Sequence, residues 1–193
     1  MSNQIAAPRE RILSVAGPLF RKEGFRAIGV DRVIAEANVA KATFYRHFPS
    51  KDDLIVAFLQ NADRFLDDWM DAATAGAADP IEALFEATAA MARRPECFGC
   101  TFQGVSAEFT DVNHPGHAYA KAYKQRVLAR LEQMADEAKA ARPRVLAEQL
   151  YLLLEGAWAS VRIYGREAPL AHLVEAARAL TAAGALPRSA ILG

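Results

Sequence analysis

Apolar side chains recur every three or four residues through nearly the whole sequence, and no stretch alternates convincingly between apolar and polar residues. Apolar residues three or four apart form one apolar face on an α-helix, whereas alternating apolar residues would form one apolar face on a β-strand. Within residues 8–23, for example, Ile12, Ala16 and Phe20 fall on one side of a helix that Gly24 ends. The spacing therefore predicts an all-α fold.

Proline and glycine divide this pattern into segments, because proline fits the first turn of a helix and glycine favours the residue after its last turn. We predict about nine helices, at residues 8–23, 30–37, 40–47, 51–72, 80–93, 101–109, 115–140, 143–164 and 169–183. With 193 residues, of which 52% are hydrophobic, the chain has ample material for a buried core.

Membrane and secreted proteins are disfavoured by composition. No apolar run approaches the roughly 18 residues that a membrane span needs, and the N-terminus lacks a secretion pattern. We therefore expect a cytoplasmic protein without a membrane partner. In that compartment Cys97 and Cys100 are not expected to form a structural disulfide, and we interpret them first as packing thiols.

Charge is distributed unevenly along a chain whose formal net charge is zero. Residues 1–51 contain nine Lys or Arg and four Asp or Glu, a balance of +5, so the remainder carries −5. A basic end on an acidic body is typical of a protein that brings one end to a polyanion such as nucleic acid. A solvated basic surface is the other interpretation.

Residues 29–51 predict two short helices joined by a tight turn at Asn38, a residue that tolerates left-handed backbone. Apolar residues would face inward at Val33, Ile34, Ala37, Val39, Phe44 and Phe48. Hydrogen-bond donors would lie on the other side, at Lys41, Thr43, Tyr45, Arg46 and His47. This is the layout of a helix-turn-helix, whose second helix fits the DNA major groove.

At these residues the sequence resembles the tetracycline-repressor (TetR) family of transcription regulators. The matching segments are Gly24-Phe25, residues 34–39 and residues 43–51. The resemblance implies a helix-turn-helix domain at 1–50 and a helical ligand-binding and dimerisation domain at 51–193. It also implies a homodimer, in most cases a repressor, that a small molecule releases from a palindromic operator. Activation instead of repression is the alternative.

The resemblance assigns seven residues to DNA contact, namely Lys41, Ala42, Thr43, Tyr45, Arg46, His47 and Lys51. The first three begin the recognition helix, where related proteins meet bases and adjacent phosphates. Tyr45, His47 and Lys51 match phosphate contacts, and Arg46 could reach a base or a phosphate. The alternatives are core packing for Tyr45 and a helix-terminus hydrogen bond for His47.

Aromatic residues are frequent in the C-terminal two-thirds, and most such residues are core. The resemblance implies that some enclose a small, largely apolar or aromatic effector. We predict ligand contacts at Trp69, Phe102, Phe109, Tyr123 and Trp158.

The segment 150–161 is apolar nearly all round and rich in small residues, which let a second helix approach closely. With the last helix it could form a four-helix bundle with its copy, as the resemblance implies. We predict an interface at Leu153, Gly156, Ala157, Ser160, Leu173 and Ala177.

Thiols, carboxylates and imidazoles gather within about twenty residues and allow two other interpretations. They are Cys97, Cys100, Glu108, Asp111, His114 and His117. They could form a metal site, or Glu108, His114 or His117 could act as an acid or base in an enzyme. The sequence has no nucleophile-base motif and no phosphate loop, so we expect no enzyme and no cofactor. A tetrahedral metal site would have to use the single Cys-x-x-Cys pair and the single His-x-x-His pair, so we expect no metal. The plainer interpretation is a loop–helix junction in which His114 caps the helix beginning at Pro115. A purely structural helical-bundle protein is a further alternative.

Overall fold

A computed structural model describes residues 7–184, and in that range the chain forms nine α-helices and one short 3-10 helix, with no strand. The helices are α1 Pro8–Glu23, α2 Val30–Glu36, α3 Lys41–His47, α4 Lys51–Thr74, α5 Pro80–Ala92, α6 Thr101–Glu108, α7 Pro115–Glu137, α8 Pro143–Tyr164 and α9 Leu173–Gly184. The prediction of an all-α fold is confirmed.

Most helix bounds lie within three residues of the prediction, but the expected start of the last helix at Pro169 is wrong. After α8 the backbone turns at Gly165, whose φ is 55°, and forms the 3-10 turn Gly165–Glu167. The helix then begins at Leu173. Proline fits a tight turn as well as a first helical turn, so Pro169 did not distinguish the two.

The described chain divides into two compact units, residues 7–64 with 101–121 and residues 65–100 with 122–184. The predicted helix-turn-helix segment lies within the first unit. This unit extends beyond the boundary predicted after residue 50, because it also includes the beginning of α4, the whole of α6 and the beginning of α7.

Three phenylalanines form the centre of the first unit. The Phe20 and Phe25 rings stack with centroids 5.1 Å apart, and Phe58 of α4 meets them at 5.7 and 5.9 Å. All three side chains are buried. Burial of one such ring contributes roughly 1.5–3 kcal/mol, so this cluster fixes α1 on α4.

In the second unit, α8 packs with α5 and α9. Leu84 and Phe85 of α5, Leu150 and Leu154 of α8 and Ala177 of α9 are buried. Arg178 of α9 also pairs with Glu82 of α5 at the surface. Between residues 7 and 184, no helix is both long enough and apolar enough to cross a membrane.

Candidate nucleic-acid interface

The turn between α2 and α3 depends on Asn38. Its φ is 49°, as the sequence predicted, and the flanking amides close the turn: Asn38 N–H donates to Ala35 O at 3.1 Å and Val39 N–H to Ile34 O at 3.3 Å. A left-handed residue reverses the chain within a few residues. The turn therefore sets the angle between the two short helices.

One face of α3 is anchored in the first unit. Phe44 has no exposed surface, and Phe48, which follows the helix, packs against it with ring centroids 5.9 Å apart. Val33 of α2 is also buried. A helix of seven residues is too short to be stable alone in water, so this burial holds α3 in place.

The opposite face of α3 is open to solvent and carries no acidic residue. Lys41, Ala42, Tyr45 and Arg46 are exposed, and Thr43 is half-buried. Tyr45 packs its ring edge against Phe44 at 5.3 Å yet stays 40% exposed. Of the side chains predicted to meet DNA, four are thus exposed on α3, namely Lys41, Ala42, Tyr45 and Arg46.

Acidic groups around this surface are paired with cations. Arg32 of α2 binds Glu23 at 2.6 Å and Glu36 at 2.8 Å, and its hydrogen bond lowers the pKa of Glu23. Lys41 lies 3.4 Å from Asp31, with both side chains exposed. An exposed pair of this kind is worth little and yields readily to a phosphate.

His47 and Lys51 are less available to DNA than the residues on the open face. The Nε2 atom of His47 is buried without a hydrogen-bond partner. Lys51 donates from Nζ to Arg26 O at 3.2 Å. Burial lowers the pKa of Lys51, an effect that the charges of Glu108 and Asp52 oppose.

The hydroxyl of Ser50 caps α4 by accepting a hydrogen bond from Asp53 N–H at 3.1 Å. In return, the Asp53 carboxylate accepts one from Ser50 N–H at 2.9 Å. This reciprocal capping box places the N-terminus of a 24-residue helix beside the end of α3. Lys51 is the first residue of that helix.

A carboxylate from α6 fixes the loop that follows α1. Glu108 accepts hydrogen bonds from Phe25 N–H at 3.0 Å and from Arg26 N–H at 2.7 Å. Gly24 has a φ of 90°, and a Cβ atom there would lie 2.8 Å from Glu108 Oε1. The positive φ favours glycine at this position, and the missing side chain leaves room for the carboxylate. In the sequence analysis we considered Glu108 as a metal ligand or as an acid or base and missed this contact, which joins residues 83 apart.

The residues after Glu108 extend this contact. The Phe109 ring stacks on His114 with centroids 3.9 Å apart, and the Arg26 guanidinium lies 5.1 Å from the Phe109 centroid. His114 Nδ1 accepts from Gly116 N–H at 3.1 Å, which confirms the predicted cap of α7. His117 Nδ1 lies 2.7 Å from Phe109 O. The imidazoles thus stabilise the junction between α6 and α7.

Comparison with known proteins supports the interpretation of the α2–α3 segment as a DNA-binding helix-turn-helix. The model of the family described as bacterial regulatory proteins, tetR family, matches residues 12–58. YxaF of Bacillus subtilis, an uncharacterized HTH-type transcriptional regulator, is 27% identical over 77 residues. That match covers 39% of this chain and 40% of YxaF, so the similarity to this relative is confined to less than half of its length.

Solved structures extend the similarity to the whole fold. SCO4454 of Streptomyces coelicolor, a TetR-family transcriptional regulator, is 29% identical with a TM-score of 0.88, over 93% of this chain and 96% of its own. The structure of sav143 of Streptomyces avermitilis, described as a TetR transcriptional regulator, is 30% identical with a TM-score of 0.83, over 94% of this chain and 100% of its own. The chain belongs to the TetR family of transcriptional regulators. It is a DNA-binding protein and not an enzyme.

In this TetR-family chain the residues predicted to bind an effector fall in different units. Phe102 and Phe109 belong to the first unit, where Phe102 is buried and stacks near Tyr119 with centroids 6.5 Å apart. Trp69, Tyr123 and Trp158 belong to the second unit, where Tyr123 and Trp158 are buried.

A groove of about 560 Å³ lies within the second unit of this TetR-family chain, and none of those five residues lines it. Its walls include the Arg130–Asp71 ion pair and Arg126. Its lining is therefore more polar than the site that the sequence predicted. Across the described residues, no group of three or more His, Cys, Asp or Glu side chains is placed to hold a metal ion.

The residues predicted for a TetR-type dimer interface also differ in placement. Gly156 is exposed, and Leu153 and Ser160 are half-buried. Ala157, Leu173 and Ala177 are buried within the chain itself. The exposed apolar side of α8 instead carries Leu152, Gly156, Ala159 and Ile163.

The contact of Glu108 with the loop after α1 predicts a measurable loss of stability. Glu108→Ala removes an acceptor from two backbone amides and should lower the free energy of unfolding by about 1–3 kcal/mol. Glu108→Gln keeps one acceptor oxygen and should lower it less. Urea unfolding measures both effects, with Glu96→Ala, an exposed site on another segment, as the control. Equal stability of Glu108→Ala and the control would contradict the assignment.

Proposed function

We propose that this TetR-family regulator is a cytoplasmic homodimer that represses transcription by placing α3 of each copy in the major groove of a palindromic operator, and that a small effector releases it. The supporting observation is that α3 has one buried side and one solvent-exposed side. Phe44 anchors one face, while the other presents Lys41 and Arg46 with no acidic neighbour on the helix.

The ends of α3 suit different parts of a duplex. Lys41, Ala42 and Thr43 form its first turn, and recognition helices of this motif meet base edges with their N-terminal residues. Lys51 begins α4, where free backbone N–H groups and a positive side chain favour a phosphate. Base contacts carry sequence preference, and phosphate contacts carry affinity for any duplex.

This division predicts different effects for two lysines. Lys41→Ala should reduce the preference for the operator over unrelated duplex by about 1–3 kcal/mol, whereas Lys51→Ala should weaken binding to all duplexes and reduce the salt dependence. Fluorescence anisotropy with DNA from upstream of the gene, measured at several salt concentrations, checks both. Lys121→Ala, at an exposed position of α7, is the matched control.

Two outcomes would contradict the proposal. Binding that does not respond to salt would exclude phosphate contacts, and equal effects of the two substitutions on specificity would exclude the proposed division. Because Lys51 also binds the Arg26 carbonyl, its variant is compared with the wild type by thermal unfolding first.

The dimer proposal rests on the exposed side of α8. Leu152 and Ile163 are 69% and 72% exposed, and both lie on the same side as Gly156 and Ala159 because they are spaced three or four residues apart. A Cβ atom added at Gly156 would meet nothing within 4 Å, so the backbone there is open to close approach. We place α8 of the second copy against this surface.

A charge on this surface should prevent dimerisation without unfolding the chain. Ala159 is exposed in the single chain, so Ala159→Arg should fold but pay the cost of a desolvated charge only in the dimer, several kcal/mol by typical magnitudes. Sedimentation velocity should show a monomer. Ala118→Arg, at an exposed position of α7, should remain dimeric. A dimeric Ala159→Arg protein would move the interface elsewhere.

The effector proposal rests on the aromatic residues of the second unit. Trp69, Tyr123 and Trp158 provide large apolar surfaces there, and α6, which carries Glu108, follows Cys100 of that unit directly in the chain. A ligand that shifts α6 would act on the loop after α1 through the Glu108 hydrogen bonds. Such coupling is typically about 1–3 kcal/mol.

Thermodynamic linkage gives the test of this proposal. A ligand found by thermal-shift screening should lower operator affinity, and operator DNA must weaken ligand binding by the same factor. Calorimetry with and without the duplex measures that factor, and Glu108→Ala should reduce it. Identical ligand affinity in both conditions would show that the bound site is not the switch.

A further inference from the structure

The first turns of α1 lie beside both ends of α3. Arg11 Nη2 donates to Asn38 O at 3.4 Å, in the turn that precedes α3. The Arg9 guanidinium lies 5.5 Å from the centroid of the Phe48 ring, directly after the last residue of α3. Both contacts lie within the first unit. The beginning of α1 therefore places an arginine at the end of the helix that is proposed to read DNA.

Arg9 is exposed, and its charge is available to a partner. Within the described residues 7–184, its guanidinium takes part in no ion pair or hydrogen bond. The carboxylate of the neighbouring Glu10 instead accepts from Ala7 N–H at 3.0 Å. The Phe48 ring is buried, so the surface on which the cation lies is held by the core of this unit. Arg9 is thus a positioned cation for which the described chain supplies no anion.

The end of α3 is the place where a DNA phosphate would lie. Seven residues give α3 a length of about 10 Å, and the major groove is about 12 Å wide. If the first turn of α3 meets base edges, its last turn lies beside a wall of the groove, which is formed by the phosphate backbone. A guanidinium suits this position because it can give a phosphate two parallel hydrogen bonds.

We propose that Arg9 binds a backbone phosphate of duplex DNA at the edge of the groove that α3 enters, and that the Phe48 ring positions its guanidinium for this contact. The inference rests on the proposed placement of α3 and adds to the interface a residue from outside the helix-turn-helix. The contact carries no sequence preference, because phosphates are alike in every duplex. The hydrogen bond from Arg11 to the turn keeps this part of α1 beside α3.

The test measures binding of the full chain to a mixed-sequence DNA duplex, for which affinity comes from phosphate contacts. Fluorescence anisotropy at several salt concentrations gives the affinity and its salt dependence. Arg9→Gln should weaken binding about tenfold and reduce the slope of log affinity against log salt by about 0.9 for each bound copy, because one phosphate fewer is neutralised. Arg9→Lys keeps the charge and should keep the slope. Arg94→Gln, at an exposed position of the second unit, is the matched control and should change neither quantity.

A second measurement uses the wild-type chain and needs no variant. Phenylglyoxal modifies arginine side chains, and peptide mass spectrometry follows Arg9 and Arg94 separately in each sample. Bound duplex should slow the modification of Arg9 and leave that of Arg94 unchanged. If thermal unfolding shows that Arg9→Gln does not fold, this comparison decides.

Three results would overturn the proposal. They are a wild-type salt slope in Arg9→Gln, whatever its affinity, an equal loss of slope in Arg9→Lys and Arg9→Gln, and equal modification of Arg9 with and without the duplex. The proposed function would survive each of them if Lys51→Ala still weakened binding. A wild-type chain that binds no duplex would contradict the proposed function as well.

Discussion

Burial of Phe44 is the interaction on which the DNA-reading surface depends. A seven-residue helix does not hold its shape alone, and α3 has no side-chain cap at its N-terminus. The helical conformation of α3 is therefore stabilised by burial of the Phe44 ring and by the turn at Asn38. Once Phe44 is inside, helical geometry places Ala42 and Arg46 on the opposite side of the helix, where both are exposed. One side of this short helix therefore packs into the first unit, and the other is available to contact DNA.

The same unit shows how charge is arranged around that surface. Arg32 engages Glu23 of α1 and Glu36 of α2. Asp31 of α2 lies 3.4 Å from Lys41, so one cation of α3 is paired and Arg46 adds a second positive charge to the helix. Glu108, from much later in the chain, neutralises nothing on α3 and instead binds the amides of Phe25 and Arg26. A carboxylate held on backbone N–H groups makes the position of the loop after α1 depend on α6. That dependence is a physical means by which a change at α6 could alter DNA binding.

Much of the fold could be predicted from local pattern, because prolines and glycines mark helix ends and the apolar spacing marks buried faces. The inward residues of α2 and α3 and the left-handed Asn38 followed from the same rules. Contacts between distant segments could not be predicted this way. Nothing near Glu108 in sequence indicates its contact with Phe25, which lies 83 residues earlier.

Which side of α8 would face a second copy could not be predicted from local pattern for a related reason. A helix that is apolar on every side gives no sequence signal for which side the chain covers itself. The structure resolves this for α8, since Ala157 is buried and Leu152 is exposed. Aromatic content likewise does not say which unit a ring belongs to, and the structure places Phe102 and Phe109 in the first unit and Trp158 in the second.

Selection of duplexes from a random pool tests the central claim most directly, because it asks what DNA the protein recognises without assuming an operator. The account predicts enrichment of a two-fold symmetric sequence whose half-site centres lie about 34–36 Å apart or a multiple of that, since two copies of α3 must enter the major groove on one side of the duplex. Enrichment of no sequence, or of one without two-fold symmetry, would contradict it.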